Sequence, residues 1–513
     1  MPTDTTPTQQ LLVLHASDNV GVARVDITRG TTLNPHPETA VVARGDIGAG
    51  HKIALRDIPR GGAVLKYGQV IGVARDAIPA GDHVHVHNVG MGESNLAHGV
   101  GRSYRPTVPI EPAATFEGFV RGDGRVGTRN YIGVISSVNC SATVCKAIAQ
   151  AFAGPGLAAY PSVDGVVAIT HGSGCGMSGE GEGIDVLRRT LRGYATHPNF
   201  AAVLVIGLGC EVNQVDLITE GLATDRGSRL RSMTVQQAGG TREAIEQGTA
   251  IVHQLAAAAA TARRSTVPVS RLVVGLQCGG SDGYSGISAN PALGAAVDLL
   301  VRHGGTAILS ETPEIHGAEH LLTARAASPA VAHALMARLQ WWEAYTTQHG
   351  ATMNNNPSPG NKAGGITTIL EKSLGAVAKG GGSGLMDVVV YAQPVSGPGL
   401  VFMDTPGYDP VSATGQVAGG ANLICFTTGR GSTYGCKPTP SLKIATNTAM
   451  YRRMRMDMDF NAGDIVDGVL SVQDAGGRLF ELMLATASGA SSLSEVHGLG
   501  DNEFVPWQLG AVM

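Results

Sequence analysis

Apolar and polar positions change rhythm along this chain. Up to residue 88, short β-branched runs such as "LLVLHASDNVGVARVDI" and "KIALRDIPRGGAVLKYGQVIGVA" are broken by Gly, Pro and Asp. That punctuation predicts a small β module over residues 1–88. "HVHVHNV" alternates histidine with valine, as a half-buried strand does. Residues 89–115 have no period and are rich in Gly and Pro, which predicts a linker. Thereafter fully apolar runs recur: "YIGVISSV", "GVVAIT", "AAVLVIGLG", "RLVVGLQC", "TAILSE", "DVVVYA", "NLICFTT". Helical stretches such as "REAIEQGTAIVHQLAAAAATARR" and "NPALGAAVDLLVRHG" lie between them. Apolar strands alternating with helices predict an α/β fold of mostly parallel sheets covered by helices on both faces. "ARRSTVPVSR" divides this part into a first α/β region, 116–265, and a second, 266–513.

In open α/β sheets, ligands gather beyond the carboxyl ends of strands. Cys175, Cys210 and Cys278 each follow an apolar run and sit beside glycine. Either they fill strand ends as small apolar residues, or three thiolates meet at one metal ion or iron–sulfur cluster. The spacing is not that of a zinc ribbon. Cys140 and Cys145 flank a helix start, Cys425 lies in a strand, and Cys436 lies in a loop. His171, in "ITHGSGCGMSGEGEG", is a candidate ligand or base.

Composition narrows the classes. The chain has 513 residues, a net charge of -4 and 43% hydrophobic residues. This balance lacks the basic excess of a nucleic-acid footprint. No apolar stretch is long enough to span a bilayer. "MPTDTTPTQQ" lacks the plan of a signal peptide, so the cytoplasm is the expected compartment. The seven cysteines are then expected to be reduced.

Several long motifs occur in order: "GFVRGDGRVGTRNYIGVIS", "HGSGCG", "HPNFAAVLVIGLGCE", "GLQCGGSDGYSGISANPALG", "SETPEI", "NPSPGNKAGGITTILEKSLGA" and "FTTGRGSTYGCKPTPSLKIATN". Together they resemble the altronate/galactarate dehydratase family over nearly the whole chain. "LHASDNVGVA" and "HKIALRDIPRGGAVLKYGQVIGVA" resemble its N-terminal SAF domain, a β-clip fold. The resemblance implies an Fe2+-dependent hydro-lyase that removes water from a sugar acid to give a 2-keto-3-deoxy acid. An iron–sulfur cluster is the alternative cofactor and Mn2+ a substitute. The loop at His171 is closer to altronate-type than to galactarate-type members. A related sulfolactate sulfo-lyase shares the elimination with a different leaving group. A non-catalytic sugar-acid sensor is the competing reading from another class. A homo-oligomer, most simply a dimer, is expected.

Such a dehydration needs a cation for the enediolate, an acid and a base, and groups that hold the carboxylate. Candidate carboxylate clamps are Arg121, Arg125, Arg129, Asn130, Lys362, Arg430 and Lys437. Asn139, Ser281, Asp282 and Asn361 are candidates for hydroxyl recognition. His171, Glu211, Lys362 and Glu311 are candidate acid–base groups, although either glutamate could simply cap the next helix. "KGGGSG" at Lys379 lacks the frame of a phosphate loop and reads as a turn. In the small module, His15, Asp18, Asn19, His51 and the "HVHVH" histidines suit either a polar strand face or a second metal. The module is also a candidate lid, with His15 as its substrate contact.

Overall fold

A computed structural model describes residues 10–36, 39–92, 99–222 and 229–510. The N-terminal module is built from short antiparallel strands, in sheets of four, two and three strands. Its last strand, Val89–Gly90, runs just past the expected boundary at 88. The expected linker includes residues 93–98, which lie outside the described residues.

The first α/β region carries a parallel sheet in the spatial order Val166–Ile169, Tyr131–Ser136, Phe200–Gly207, Leu230–Thr234. All eight residues of Phe200–Gly207 are buried, as expected of a strand covered on both faces. Leu204 and Ile206 face helices Ala142–Gln150 and Thr241–Ala259. Val203 and Val205 face helix Glu182–Ala195. The strand Ser265–Pro268 pairs antiparallel with Thr115–Val120. The expected division at 265 therefore falls on a strand that ties the two regions together.

The second region holds a seven-stranded parallel sheet. Its order is Leu385–Val389, Gly399–Met403, Thr306–Leu309, Val273–Cys278, Leu423–Thr428, Ser441–Ala445, Phe460–Asn461. One apolar core joins its face to that of the four-stranded sheet through helices Glu182–Ala195 and Asp409–Ala418. Gly193 makes this close packing possible, because a Cβ there would strike the Ala418 carbonyl. The core on the opposite face runs on into the N-terminal module, which is seated on the C-terminal region. Among the described residues no helix is long and apolar enough to cross a membrane.

Candidate active site

The carboxyl ends of the seven parallel strands collect the charged side chains of the C-terminal region. Cys278 ends its strand, Glu311 and Asp404 follow theirs closely, and Arg430 and Thr446 follow the next two. Glu311 has φ 72, a left-handed conformation that costs a non-glycine residue about 1–3 kcal/mol. Its side chain is fully buried. Lys379 Nζ donates to Cys278 Sγ at 3.0 Å and to Glu311 Oε2 at 3.1 Å. The Cys278 thiol lies 3.8 Å from Glu311 Oε2 and 3.6 Å from Glu314 Oε2. Lys372 Nζ donates to Glu314 Oε1 and to Asn356 Oδ1, each at 2.7 Å.

This crowding separates the two carboxyl groups. Burial, and then the Glu314 carboxylate, push Glu311 up to about 8 against the pull of Lys379. Burial also opposes ionisation of Glu314, but Lys372 and Lys379 outweigh it and hold that group below the usual range. Glu311 is therefore the more readily protonated of the two carboxyl groups. Glu311 Oε1 has no hydrogen-bond partner among the described residues. Burial pushes the Cys278 thiol up to about 12. Two carboxyl groups driven apart by their surroundings are a feature of acid–base sites.

A cleft of about 250 Å³ opens next to this cluster, between the module and the C-terminal region. Arg24 and Ala49 line it from the module; Asp282, Ala363, Arg430, Asn447 and Arg453 line it from the other side. Among the described residues, no ion pair engages the guanidiniums of Arg24, Arg430 or Arg453. Asp282 accepts from Thr446 Oγ1, Asn447 Nδ2 and Ser285 Oγ at 3.0–3.1 Å. It also lines a small cavity with Lys66, Tyr67, Ser281, Cys278 and Lys372. Asp282 thus links the open cleft to the buried cluster.

Ion pairs and close backbone contacts hold the module in place. Lys52 Nζ and Lys66 Nζ both bond Glu371, at 2.9 Å. Burial opposes ionisation of Glu371, but the two ammoniums outweigh it and keep the carboxyl well below its usual range. Gly283 and Gly365 admit the Gly50 carbonyl, which a Cβ at either would strike; Gly365 has φ 102.

Most of the clamp residues expected from sequence are committed to the fold. All five N–H donors of Arg129 are used, on Glu495 and on the carbonyls of Thr128, Thr486 and Ala490. Arg121 donates to Pro198, Asn130 and Arg129. Asn130 in turn donates to Ser162 and Ala259 carbonyls. Arg125 pairs with Asp123, and Lys437 with Asp501, each at 2.7 Å. Asn361 caps its own short helix and donates to the Ser281 carbonyl. His15 is exposed and bonds Ser17. Lys362 is half-buried beside Ala363.

The acid–base candidates of the first α/β region are likewise occupied. His171 Nε2 faces the Ser136 carbonyl at 3.2 Å, so the proton sits there. Its Nδ1 accepts from Ser173, and burial lowers the ring to about 4. Glu211 accepts from Ser137 Oγ and from the amides of Leu208 and Gly209. Asn139 is exposed and donates to the His171 carbonyl. Of the expected residues, Ser281, Asp282, Arg430 and Cys278 lie at the cleft or its adjoining cavity. Sequence reasoning missed Arg24, Glu314, Lys372, Lys379 and Arg453. Glu314 in "SETPEI" and Lys372 in "LEKSLG" were visible inside motifs, but nothing local marks their convergence.

Three donor sets bear on an iron site. Cys175 and Cys210 stand exposed on the first α/β region, whereas Cys278 is buried in the second. The three sulfurs do not lie within 4.8 Å of one another, and a metal–thiolate bond is about 2.3 Å, so one ion cannot join them. The cysteine that shares the edge of Cys175 and Cys210 is Cys140: Asn139 N bonds the Ser173 carbonyl and Asn213 N bonds the Gly174 carbonyl. Cys278, Glu311 and Glu314 do lie within 4.8 Å of one another, but the Lys379 ammonium already contacts two of them and supplies the positive charge there. His51, His83 and His85 form the third set.

An antiparallel β module seated on the second of two parallel α/β regions, with a cleft between them at the carboxyl ends of the seven-stranded sheet, makes this a three-part α/β protein. The chain belongs to the altronate/galactarate dehydratase family. Residues 9–92 match the altronate/galactarate dehydratase SAF domain, 118–260 the D-galactarate dehydratase/altronate hydrolase second domain, and 269–512 the D-galactarate/altronate dehydratase C-terminal domain. It is 39% identical over 463 residues to altronate dehydratase of Escherichia coli (strain K12), covering 90% of this chain and 91% of that one. It is 37% identical over 492 residues to galactarate dehydratase (L-threo-forming) of the same strain, covering 94% of each. A third relative is (2R)-sulfolactate sulfo-lyase subunit beta of Chromohalobacter salexigens, 32% identical over 76% of this chain and 96% of that one.

Proposed function

We propose that this protein dehydrates a hexonate or hexarate, altronate foremost, to a 2-keto-3-deoxy acid in the cleft between module and C-terminal region. The observation that carries this reading is the convergence of Arg24, Arg430 and Arg453 on that cleft, which Asp282 joins to a cavity lined by Cys278 and Lys372, next to the Glu311 carboxyl that burial raises in pKa. Guanidinium groups bind carboxylates with directional, charge-assisted hydrogen bonds. Asp282 and Asn447 offer hydroxyl recognition. Glu311 is the proton donor for the leaving hydroxide, and Lys372 and Lys379 supply positive charge as negative charge grows on the substrate. Iron(II) is the cofactor in this reading, with Mn2+ as a substitute; when bound, it supplies Lewis-acid stabilisation of the enediolate.

A second cofactor reading rests on Cys140, Cys175 and Cys210: an iron–sulfur cluster on the first α/β region. Visible absorbance of anaerobically purified protein separates the two. The substrate reading is tested by screening hexonates, hexarates and sulfolactate with anaerobic iron(II) and detecting keto acid or sulfite. Keto acid from altronate supports it. Sulfite release points to the sulfo-lyase alternative, and binding without turnover to the sensor.

A further inference from the structure

We propose that His51, His83 and His85 form a divalent-cation site at the seam between the module and the C-terminal region. The strand register builds it. Lys52 pairs with Val84 and Ile53 with His83 in antiparallel strands, so His51 falls opposite His85, on the face away from Lys52. The "HVHVH" alternation puts His83 on the same face as His85. The three ring centroids are 5.0–5.4 Å apart, and one nitrogen from each ring lies within 4.8 Å of the others. A metal–imidazole bond is about 2.0–2.1 Å, so a central ion is within reach of all three after small rotations.

The hydrogen bonding around the cluster has the character of a ligand set. His51 Nε2 faces the Ala363 carbonyl at 3.3 Å. A carbonyl can only accept, so the proton is on Nε2 and the lone pair is on Nδ1, turned inward toward His83 Nε2 at 3.0 Å. A backbone carbonyl that fixes the outer N–H of a ligating histidine is the usual support of a metal-bound imidazole. Among the described residues, His85 Nδ1 is buried without a hydrogen-bond partner. Asn88 holds both backbone positions by accepting from His85 N and donating to the His83 carbonyl. A polar strand face exposed to water would need none of this. Three neutral nitrogens suit a first-row transition-metal cation and leave coordination positions for water or a carboxylate. Ala363 also lines the cleft, so the ion would sit at its edge. The identity of that ion as iron(II) rests on the function proposed above; the site itself rests on its own geometry.

The test uses the full chain, stripped of metal and titrated anaerobically with Co2+ as a spectroscopic probe, then with Fe2+ by calorimetry. Wild type and Cys278→Ser are expected to bind one equivalent with the visible bands of Co2+–imidazole ligation. His85→Ala and the milder His85→Gln are expected to bind at least 100-fold more weakly while melting as wild type does. Unchanged binding in both folded His85 variants, or loss of binding in Cys278→Ser alone, overturns the assignment. If the site binds metal but the Fe2+-loaded protein releases keto acid from no sugar acid, the site stands and the proposed activity fails. If keto acid forms while both His85 variants bind metal as wild type does, the activity stands and the site fails.

Discussion

The two parallel sheets of this protein present the same kind of edge and use it differently. At the carboxyl end of the four-stranded sheet, His171 and Glu211 are buried and fully bonded to loop amides, hydroxyls and a carbonyl. At the equivalent edge of the seven-stranded sheet, Glu311 is strained, raised in pKa and, among the described residues, left with an unpartnered oxygen, and Asp282 joins its cluster to a cleft with three arginines. A polar residue at a strand end is thus an ambiguous sign. What separates scaffold from site is whether its hydrogen bonds are already complete.

Glu311→Gln sharpens this contrast most. It keeps the shape but removes the transferable proton, so turnover should fall by about 10²–10⁴-fold with little change in melting. Glu211→Gln should leave turnover nearly intact, and equal losses in both would erase the distinction. Next in size are two structural changes. Glu371→Ala strips one side of a buried ion pair and should cost about 3–5 kcal/mol of stability; Arg129→Ala, whose partner Glu495 is only half-buried, should cost about 1–3 kcal/mol through the carbonyls it leaves unpaired, both read by denaturant unfolding. Glu371 also sets a pH signature. Its folded pKa is depressed, so its contribution is complete above the unfolded glutamate value of about 4.3 and is lost as pH falls through and below it. Glu371→Gln should flatten that acid limb. Smallest is His171→Asn. The folded ring sits at about 4 against about 6.5 unfolded, so wild type should lose stability as pH drops between those values, and the variant should lose less.

Much of the fold was legible because buried parallel strands are written as continuous apolar runs. Each quoted run, from "YIGVISSV" to "NLICFTT", coincides with a strand. Leu230–Thr234 escaped because it is an edge strand with exposed Arg231 and Ser232. Phe460–Asn461 is too short to show a period. In the site, the strand-end rule located Cys278, Asp282 and Arg430. It could not reveal that Arg24 and Arg453, 429 positions apart, face one cleft, since only the docking of the module brings them together. Lys379 sits in a short 3-10 helix, Ala378–Gly380, that continues helix Ile369–Val377, not in the turn its glycines suggest, and its charge acquires a role only through burial against Cys278 and Glu311. The triple-cysteine expectation paired the wrong edges, because sequence does not say which strands share a sheet.

The most direct test of the cleft assignment is keto-acid release from altronate and galactarate by anaerobic, iron(II)-loaded wild type and Arg430→Ala, with melting measured in parallel. Arg430 is exposed, so the variant should melt as wild type does. Its kcat/KM should fall about 10–100-fold, the loss of one charge-assisted hydrogen bond of about 1.5–3 kcal/mol. An unchanged kcat/KM in a folded Arg430→Ala variant would contradict the placement of the substrate carboxylate in this cleft.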